Sequence, residues 1–217
     1  MSEKLVEIKD VTKSFKGNMV VNHMSIDFSG GKSYGIIGPN GSGKSVFLKL
    51  LCGFSKPDSG EIKVNNKVIG KDVDFIENAG ISINAPEFVQ SLSGLENLQM
   101  LAGIRKKISK DEITKLAEQM ELSSEDLRKK VKNYSLGMKQ KLRIIQAVME
   151  EPSILVLDEP MNALDKSSVD LVKKILRRHI EKGGTLFFTS HNREDVGSLA
   201  DEVYEMEKGK LVKSEQY

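Results

Sequence analysis

A glycine-rich segment, GPNGSGKS at positions 38–45, contains residues whose types and spacing suit phosphate binding. It matches the pattern GxxxxGK[ST], known as the P-loop, in which glycines let successive backbone N–H groups approach phosphate oxygens closely. The preceding residues 33–37 (SYGII) are typical of a buried strand, and residues 46–51 (VFLKLL) are typical of an apolar helix. A helix N-terminus adds a partial positive charge. The segment therefore predicts a phosphate site between a strand and a helix.

Two side chains of this segment have specific tasks in binding a nucleoside triphosphate. Lys44 is expected to reach the β- and γ-phosphates and to act as a catalytic residue, and the Ser45 hydroxyl is expected to ligate Mg²⁺. A chance glycine-rich turn is the alternative, and the flanking strand and helix count against it. The predicted phosphate-binding residues are Gly38, Pro39, Asn40, Gly41, Ser42, Gly43, Lys44, Ser45 and Val46.

Two adjacent carboxylates follow a second apolar run, ILVLDEP at 154–160. Asp158 and Glu159 come directly after a predicted buried strand, at the end of the strand where ligands bind in open α/β sheets. Asp158 is expected to hold Mg²⁺ through a water molecule, and Glu159 to accept a proton from the water that attacks the γ-phosphate. Taken alone, the sequence DEP is equally compatible with an acidic turn. Together with the P-loop it predicts hydrolysis of a nucleoside triphosphate.

The elements that position these motifs follow from periodicity. Residues 5–11 and 24–28 nearly alternate apolar and polar side chains, which indicates antiparallel strands with one solvated face, and a hairpin is expected at 61–69. Later in the chain, residues 167–181 indicate a long helix and residues 185–190 (TLFFTS) another buried strand. The predicted fold class is α/β, with a mainly parallel sheet and an N-terminal antiparallel β subdomain.

Residues 92–151 interrupt this pattern with helical character. They contain strong helix formers and no proline. Ser109 and Ser123 are each followed three residues later by an acidic residue, a capping-box pattern that marks the start of a helix. We therefore expect a single domain over residues 1–217, with a helical lobe at approximately 92–151 inserted in the α/β core.

Composition limits the classes of function. The formal net charge is +2, and lysine and arginine are interspersed among acids, so no nucleic-acid partner is expected. The N-terminus lacks the apolar core of a signal peptide, and no stretch approaches the roughly 20 apolar residues of a membrane span. A cytoplasmic location is therefore expected. The single cysteine, Cys52, is expected to be a small buried core residue.

Three further segments resemble those of the ATP-binding cassette (ABC) family. YSLGMKQK at 134–141 resembles its LSGGQ signature, MNALD at 161–165 resembles its D-loop, and His191 in TSHN lies where the family has its switch histidine. The order and rough spacing of P-loop, signature, Walker B run (ILVLDEP), D-loop and switch histidine match over essentially the whole chain. The chain therefore resembles an ABC ATPase, which implies a P-loop NTPase core.

The resemblance implies roles for five residues. Ser135 and Gly137 fall on the signature positions that bind the γ-phosphate, and Asp165 of the D-loop joins the nucleotide site. His191 falls on the catalytic γ-phosphate sensor. Without the resemblance, Ser135 indicates a capped helix and His191 a structural histidine. Phe15 falls where the family stacks an aromatic ring on adenine, although phenylalanine at a strand end commonly packs into the core.

The sequence departs from the family pattern at three positions. Leu136 and Met138 replace the glycine and glutamine of the signature. Counted back from LSGLENL at 92–98, the Q-loop glutamine is replaced by Asn84, so the resemblance implies that Asn84 contacts Mg²⁺ and the nucleotide. Gln90 is the rival for this role if the loop is shifted.

The resemblance implies an ATP-hydrolysing nucleotide-binding subunit of an ABC transporter, with ATP and Mg²⁺ as cofactors. The YSLGMKQ form is similar to cassettes of bacitracin and lantibiotic exporters, which work with separate ABC-2 type permeases. The implied partners are a transmembrane permease, which would hold the subunit at the inner face of the membrane, and a second ATP-binding subunit in a homodimer or heterodimer.

Two other functions are compatible with a P-loop. Soluble ABC ATPases that act on DNA or ribosomes usually carry a long coiled-coil insertion or two cassettes in one chain, and these 217 residues have neither. A P-loop small-molecule kinase is a third hypothesis, but it has no use for the DEP sequence or the signature segment. Both alternatives are therefore less favoured than a transporter subunit.

The segment at 84–98, NAPEFVQSLSGLENL, is expected to be the permease docking surface. It joins the sheet to the helical lobe, and the resemblance places a permease helix beside it. Phe88, Val89 and Leu92 are its expected apolar anchors. The alternative is a surface loop that folds these side chains onto its own lobe.

Overall fold

The computed structural model describes residues 4–84 and 88–216, which form two β-sheets and seven α-helices. The strands are β1 (Lys4–Phe15), β2 (Asn18–Ser29), β3 (Ser33–Ile37), β4 (Ser59–Val64), β5 (Lys67–Val68), β6 (Ala79–Ser82), β7 (Ile154–Leu157), β8 (Thr185–Thr189), β9 (Glu202–Glu207) and β10 (Lys210–Lys213). The helices are α1 (Lys44–Cys52), α2 (Gly94–Arg105), α3 (Lys110–Gln119), α4 (Ser124–Arg128), α5 (Leu136–Val148), α6 (Lys166–Glu181) and α7 (Arg193–Leu199).

The N-terminal sheet is antiparallel, as predicted, with strand order β2-β1-β4-β5. Its hairpin β1-β2 continues to the pair Phe15↔Asn18, so both strands extend beyond the predicted 5–11 and 24–28. Several register shifts interrupt the pairing of β1 with β2. Each shift changes the face to which the following side chains point, so the alternation that marks a strand in the sequence is lost.

The larger sheet has the order β10-β9-β3-β8-β7-β6, and every neighbouring pair is parallel except β10 with β9. This confirms the predicted mainly parallel sheet. Strands β3, β7 and β8 are buried at every residue, which accounts for their nearly continuous apolar sequences. The P-loop, Asp158 and His191 follow these three strands. Because parallel strands end at the same edge of a sheet, the fold brings the three motifs together.

Helices α2 to α5 form the helical lobe, and they lie within the range expected from the sequence. The predicted capping boxes at Ser109 and Ser123 are confirmed, and Ser93 forms a third. In each, the serine hydroxyl accepts the N–H of the third helical residue, whose carboxylate accepts the N–H of the serine. None of the helices in the described ranges combines the length and the apolar composition needed to cross a membrane.

Buried apolar side chains cover both faces of the parallel sheet. One cluster joins the sheet to the helical lobe and α6, and the other joins it to the antiparallel sheet and α1. In the second cluster, Tyr34 and Phe187 stack with ring centroids 5.1 Å apart, and Phe28 packs edge-on against both. Cys52 lies in this cluster as expected, and burial raises the pKa of its thiol to about 12. The site motifs therefore rest on a sheet packed on both sides.

Candidate active site

The P-loop connects β3 to α1 through a backbone that only glycine adopts readily. Gly38, Gly41 and Gly43 have φ angles of 143°, 79° and 108°. A Cβ at Gly43 would lie 2.9 Å from Val20 Cγ1, so this position needs glycine for space as well. Gly43 also precedes α1 without any side-chain cap, so the first N–H groups of the helix face the loop without a capping side chain. The loop therefore has the geometry of an anion site.

Lys44 and Ser42 test whether this loop fits a phosphate ligand. The buried Lys44 ammonium donates to the carbonyls of Gly38 and Pro39, at 2.7 and 3.1 Å, which leaves one of its three hydrogens for another acceptor. The Ser42 hydroxyl is buried and has no hydrogen-bond partner among the residues that the structure describes. A phosphate oxygen is an acceptor for both groups. The residues present therefore fit an anionic ligand.

A cleft of about 310 Å³ opens beside the P-loop. It brings the P-loop lysine and serine together with both carboxylates of the DEP sequence, as the sequence predicted for residues more than 100 positions apart. Its lining residues are Val20, Asn40, Gly41, Gly43, Lys44, Ser45, Val46, Asp158 and Glu159.

Asp158 is hydrogen-bonded at both carboxylate oxygens. The Ser45 hydroxyl donates to Oδ2 at 2.7 Å and the Thr189 hydroxyl donates to Oδ1 at 2.6 Å. A hydroxyl and a carboxylate are the hard oxygen ligands that Mg²⁺ prefers, together with water and phosphate oxygens. In residues 4–84 and 88–216, no cluster of three or more His, Cys, Asp or Glu side chains forms a ready-made metal cage. Ser45 and Asp158 therefore fit Mg²⁺ bound jointly with a phosphate ligand.

Glu159 faces His191 across the end of the sheet. The Nδ1 atom of His191 lies 3.0 Å from Oε2 of Glu159, and Glu159 is mostly buried whereas the histidine ring is largely exposed. An ionised carboxylate only accepts hydrogen bonds, so Nδ1 carries a proton in this contact. Of the three predicted catalytic residues, Lys44 and Glu159 line the cleft, and His191 contacts Glu159.

Two buried side chains that the sequence patterns did not single out hold the backbone of Glu159. Its N–H donates to the Thr189 hydroxyl at 2.9 Å, and its carbonyl accepts the Gln140 side-chain amide at 3.3 Å. Gln140 also donates to the Pro160 carbonyl at 2.8 Å. For Thr189 the sequence signal was a polar residue at the end of the apolar strand TLFFT, whereas Gln140 lies between two lysines and had no such signal.

The signature residues lie apart from the P-loop cleft of their own chain. Ser135 is the N-cap of α5, where its hydroxyl accepts the Met138 N–H at 3.1 Å, and neither Ser135 nor Gly137 lines the cleft. A Cβ at Gly137 would lie 3.1 Å from the carbonyl oxygen of Ala163, so the signature packs closely on the D-loop. The helix-capping role of Ser135 is therefore observed within one subunit.

Asp165 also acts as a helix cap. Its Oδ1 accepts the Ser168 N–H at 2.8 Å and the Ser167 hydroxyl at 2.9 Å, at the start of α6. The backbone hydrogen bond from Ser168 is the main cause that lowers the pKa of Asp165. The carboxylate therefore stays charged at neutral pH, and its nucleotide role remains a prediction.

Asn84 is exposed and adopts a left-handed backbone with φ 53°. It comes two residues after Ser82, whose carbonyl accepts the Asp158 N–H at 2.7 Å. Among the described residues, its side chain makes no hydrogen bond to Ser45 or Asp158. Gln90 donates instead to the Phe88 carbonyl of its own loop at 3.0 Å. Residues 85–87 of this segment lie outside the described residues.

Two phenylalanines differ from one another in exposure. Phe15 ends β1 and is 47% exposed, so the alternative that it packs into the core is not met, and its predicted stacking role stays a prediction. Phe88 is only 8% exposed and belongs to the core of the helical lobe. The expectation that Phe88 anchors a partner is therefore wrong, because the loop folds this ring onto its own lobe. Val89 beside it is exposed.

Known proteins share this sequence pattern. The pattern of the ABC transporter family matches residues 21–162. YybJ of Bacillus subtilis (strain 168), an uncharacterized ABC transporter ATP-binding protein, is 37% identical over 212 residues, which cover 98% of this chain and 97% of that protein. The bacitracin transport ATP-binding protein BcrA of Enterococcus faecalis is 35% identical over 97% of this chain and 68% of its own length.

A solved structure shares the fold. The ATP-binding cassette MJ0796, seen as a dimer in a post-hydrolysis state with ADP and Pi, has a TM-score of 0.86 to this chain, with 21% identity over 96% of this chain and 97% of that one. The likeness confirms the α/β cassette fold. Since the family pattern covers most of the chain and includes the P-loop and both carboxylates, this protein belongs to the ABC transporter family, as an ATP-binding subunit.

Proposed function

We propose that this subunit binds Mg²⁺ and ATP at the P-loop cleft, hydrolyses ATP with Glu159 as the general base, and thereby drives a separate transmembrane permease that exports a substrate. One observation carries the catalytic part of the proposal. The carboxylate of Glu159 lines the same cleft as Lys44 and Ser45 while His191 holds one of its oxygens. An ATP-binding site without hydrolysis needs no such carboxylate.

The residues divide the work by charge and position. Lys44 and the glycine-rich backbone neutralise the phosphate oxygens, and Ser45 with Asp158 would hold Mg²⁺, which supplies positive charge beside the transferring phosphoryl group. One carboxylate oxygen of Glu159 contacts His191, and the other would accept the proton of the attacking water.

His191 has a double role in this proposal. Its Nδ1–H fixes the carboxylate of Glu159, and Nε2 of the largely exposed ring would contact the γ-phosphate. In neutral imidazole with a proton on Nδ1, Nε2 is an acceptor, so a hydrogen bond from Nε2 to a phosphate oxygen requires the doubly protonated ring.

A second ATP-binding subunit completes each site in this proposal. Ser135 and Gly137 lie outside the cleft of their own chain, which supports a head-to-tail dimer in which the signature of one subunit covers the nucleotide of the other. The dimer pairs either two copies of this chain or this chain with a related one. Asn84, Phe15 and Asp165 join the nucleotide site in this dimer.

The permease partner is supported by relatives such as the bacitracin transport protein BcrA. It would hold this subunit at the inner face of the membrane. Because Phe88 is buried, we propose other, exposed apolar side chains as the anchors of the docking surface. Phe54 and Phe75 are about half exposed and contact each other with centroids 5.8 Å apart, on the segments that follow α1 and precede β6. This aromatic pair and Val89 are the proposed anchors.

The test of the catalytic proposal compares Glu159→Gln with Lys44→Ala. Glu159→Gln keeps the shape of the side chain but removes the base, so single-turnover hydrolysis is expected to slow by about 100-fold or more while ATP binding is retained. Lys44→Ala should weaken ATP binding as well. Hydrolysis by Glu159→Gln at the parental rate would show that Glu159 is not the base.

A further inference from the structure

The two carboxylates of the site are adjacent in sequence but must point to different ligands. The turn between them is made by Glu159, whose φ of 49° lies in the left-handed region that non-glycine residues rarely adopt. Such a conformation persists only where surrounding contacts hold it, and it occurs often at functional sites. The contacts that hold this residue therefore control where its carboxylate lies.

One hydroxyl contacts both sides of this turn. The Oγ1 atom of Thr189 lies 2.9 Å from the Glu159 nitrogen and 2.6 Å from Oδ1 of Asp158. The peptide N–H can only donate, so the threonine oxygen accepts from Glu159 and its own proton goes to Asp158. The direction of both hydrogen bonds is thus fixed, and the single hydroxyl joins the backbone of one carboxylate residue to the side chain of the other.

The position of Thr189 is itself rigid. The residue is fully buried, and its backbone pairs with Ile36 of β3 in the parallel sheet. A β-branched side chain in such a strand has few rotamers. Leu157, the last residue of β7, pairs with Phe188 of β8, and Thr189 lies one residue beyond that pair. There the Thr189 hydroxyl, rather than a backbone carbonyl of the neighbouring strand, accepts the Glu159 N–H. Because the side chain is fully buried, solvent has no ready access to replace the hydroxyl.

We infer that Thr189 is a positioning residue for ATP hydrolysis. Its hydroxyl holds the Glu159 peptide in the left-handed conformation and thereby keeps the base in the cleft while Asp158 faces Ser45. This inference deepens the proposed function, since it rests on Glu159 acting as the base. Without the hydroxyl, the Glu159 N–H and Oδ1 of Asp158 both lose a partner in a partly buried place, and the peptide is expected to rotate away from this geometry.

The experiment uses two comparisons in which the proteins differ mainly by the hydroxyl. The first compares the parent protein with Thr189→Val, which retains the shape of threonine. The second compares Thr189→Ser with Thr189→Ala, and it keeps the test valid if valine prevents folding. Thr185→Val is the matched control, because Thr185 is buried on the same strand and its hydroxyl accepts the Gly31 N–H at 2.9 Å, far from the cleft.

Thr189→Val and Thr189→Ala are expected to lower the single-turnover rate by about 10- to 100-fold, the range seen when side chains that orient metal ligands are removed. The affinity for ATP should remain near the parental value, and Thr189→Ser should retain most of the rate. Thr185→Val should leave the rate unchanged. Equal rates for the serine and alanine variants, or a loss confined to ATP affinity, would overturn the inference.

A double variant separates this inference from the base assignment. If Thr189 acts through Glu159, adding Thr189→Val to Glu159→Gln should cause little further loss, because the base it positions is already absent. Full multiplication of the two losses would show that Thr189 acts elsewhere and would overturn the inference. A parental rate in Glu159→Gln alone would instead overturn the base assignment.

Discussion

Gly43 and Gly41 have different requirements within the same P-loop. Both have positive φ, but a Cβ at Gly43 would approach Val20 and Met206 at 2.9 and 3.0 Å, whereas one at Gly41 meets no atom within 4 Å. Gly43→Ala should therefore lower the free energy of unfolding by about 2 kcal/mol more than Gly41→Ala. Urea denaturation without nucleotide measures the difference, and equal losses would show that the loop adjusts to the methyl group.

The residues predicted from sequence and those that were missed differ in how local their signals are. The P-loop and the DEP sequence are contiguous patterns, so the order of residues along the chain is enough to indicate their chemistry. Thr189 and Gln140 act through contacts with Glu159, across 30 and 19 positions of sequence, and nothing in their own neighbourhoods marks that contact. Phe88 was placed on the wrong side of its loop because an apolar residue in an irregular segment has no period that indicates its direction.

At the scale of elements, the edge of the parallel sheet is held by an ionic cluster around Glu202 on β9. Burial alone would raise the pKa of this carboxyl, but hydrogen bonds from Lys213, Lys32 and Tyr204 outweigh it and lower the pKa to about 2. A folded-state pKa below the ordinary 4.5 means that the cluster stabilises the fold above about pH 4.5 and loses this effect as the pH falls toward 2.

The size of this effect follows from the shift and from the exposure of the lysines. At full strength the shift corresponds to about 3 kcal/mol, and solvent screening of the two exposed ammonium groups reduces the expected value to about 1 kcal/mol. Glu202→Gln should therefore be less stable than the parent at pH 7 and nearly equal to it at pH 2. Glu207→Gln, on the exposed end of the same strand, is the control. A constant difference across this pH range would contradict the assignment.

Element boundaries were predicted well where local side chains determine them. The serine caps of α3 and α4 are formed by residues three positions apart, and both were found in the sequence. The hairpin β1-β2 was predicted too short, because its length depends on pairing between strands rather than on alternation within one strand. The order of the six strands in the parallel sheet likewise has no signal in any single segment.

The proposed dimer makes a prediction for the whole molecule. Lys44→Ala damages the P-loop side of a site and Ser135→Arg the signature side, so each homodimer has two damaged sites. In a mixed dimer one site is intact and the other doubly damaged. Random mixing should therefore restore ATP hydrolysis to at most about a quarter of the parental activity, since half the dimers are mixed and each has one intact site.

Two controls make the mixing experiment decisive. Mixing two preparations of Lys44→Ala that carry different affinity tags should restore nothing, and co-purification of the tags demonstrates that subunits exchange. If mixed dimers of the two variants are isolated and remain inactive, the nucleotide sites are not shared between subunits.

The side-chain amide of Gln140 connects the signature helix to the backbone of the catalytic base. Ser135 caps helix α5 and in the proposed dimer covers the nucleotide of the partner. Gln140 on the same helix holds the Glu159 and Pro160 carbonyls of its own subunit. In that dimer, occupancy of one site would therefore be coupled to the position of the base in the other. ATP turnover should accordingly be cooperative, with a Hill coefficient above one, and Gln140→Leu should bring the coefficient close to one.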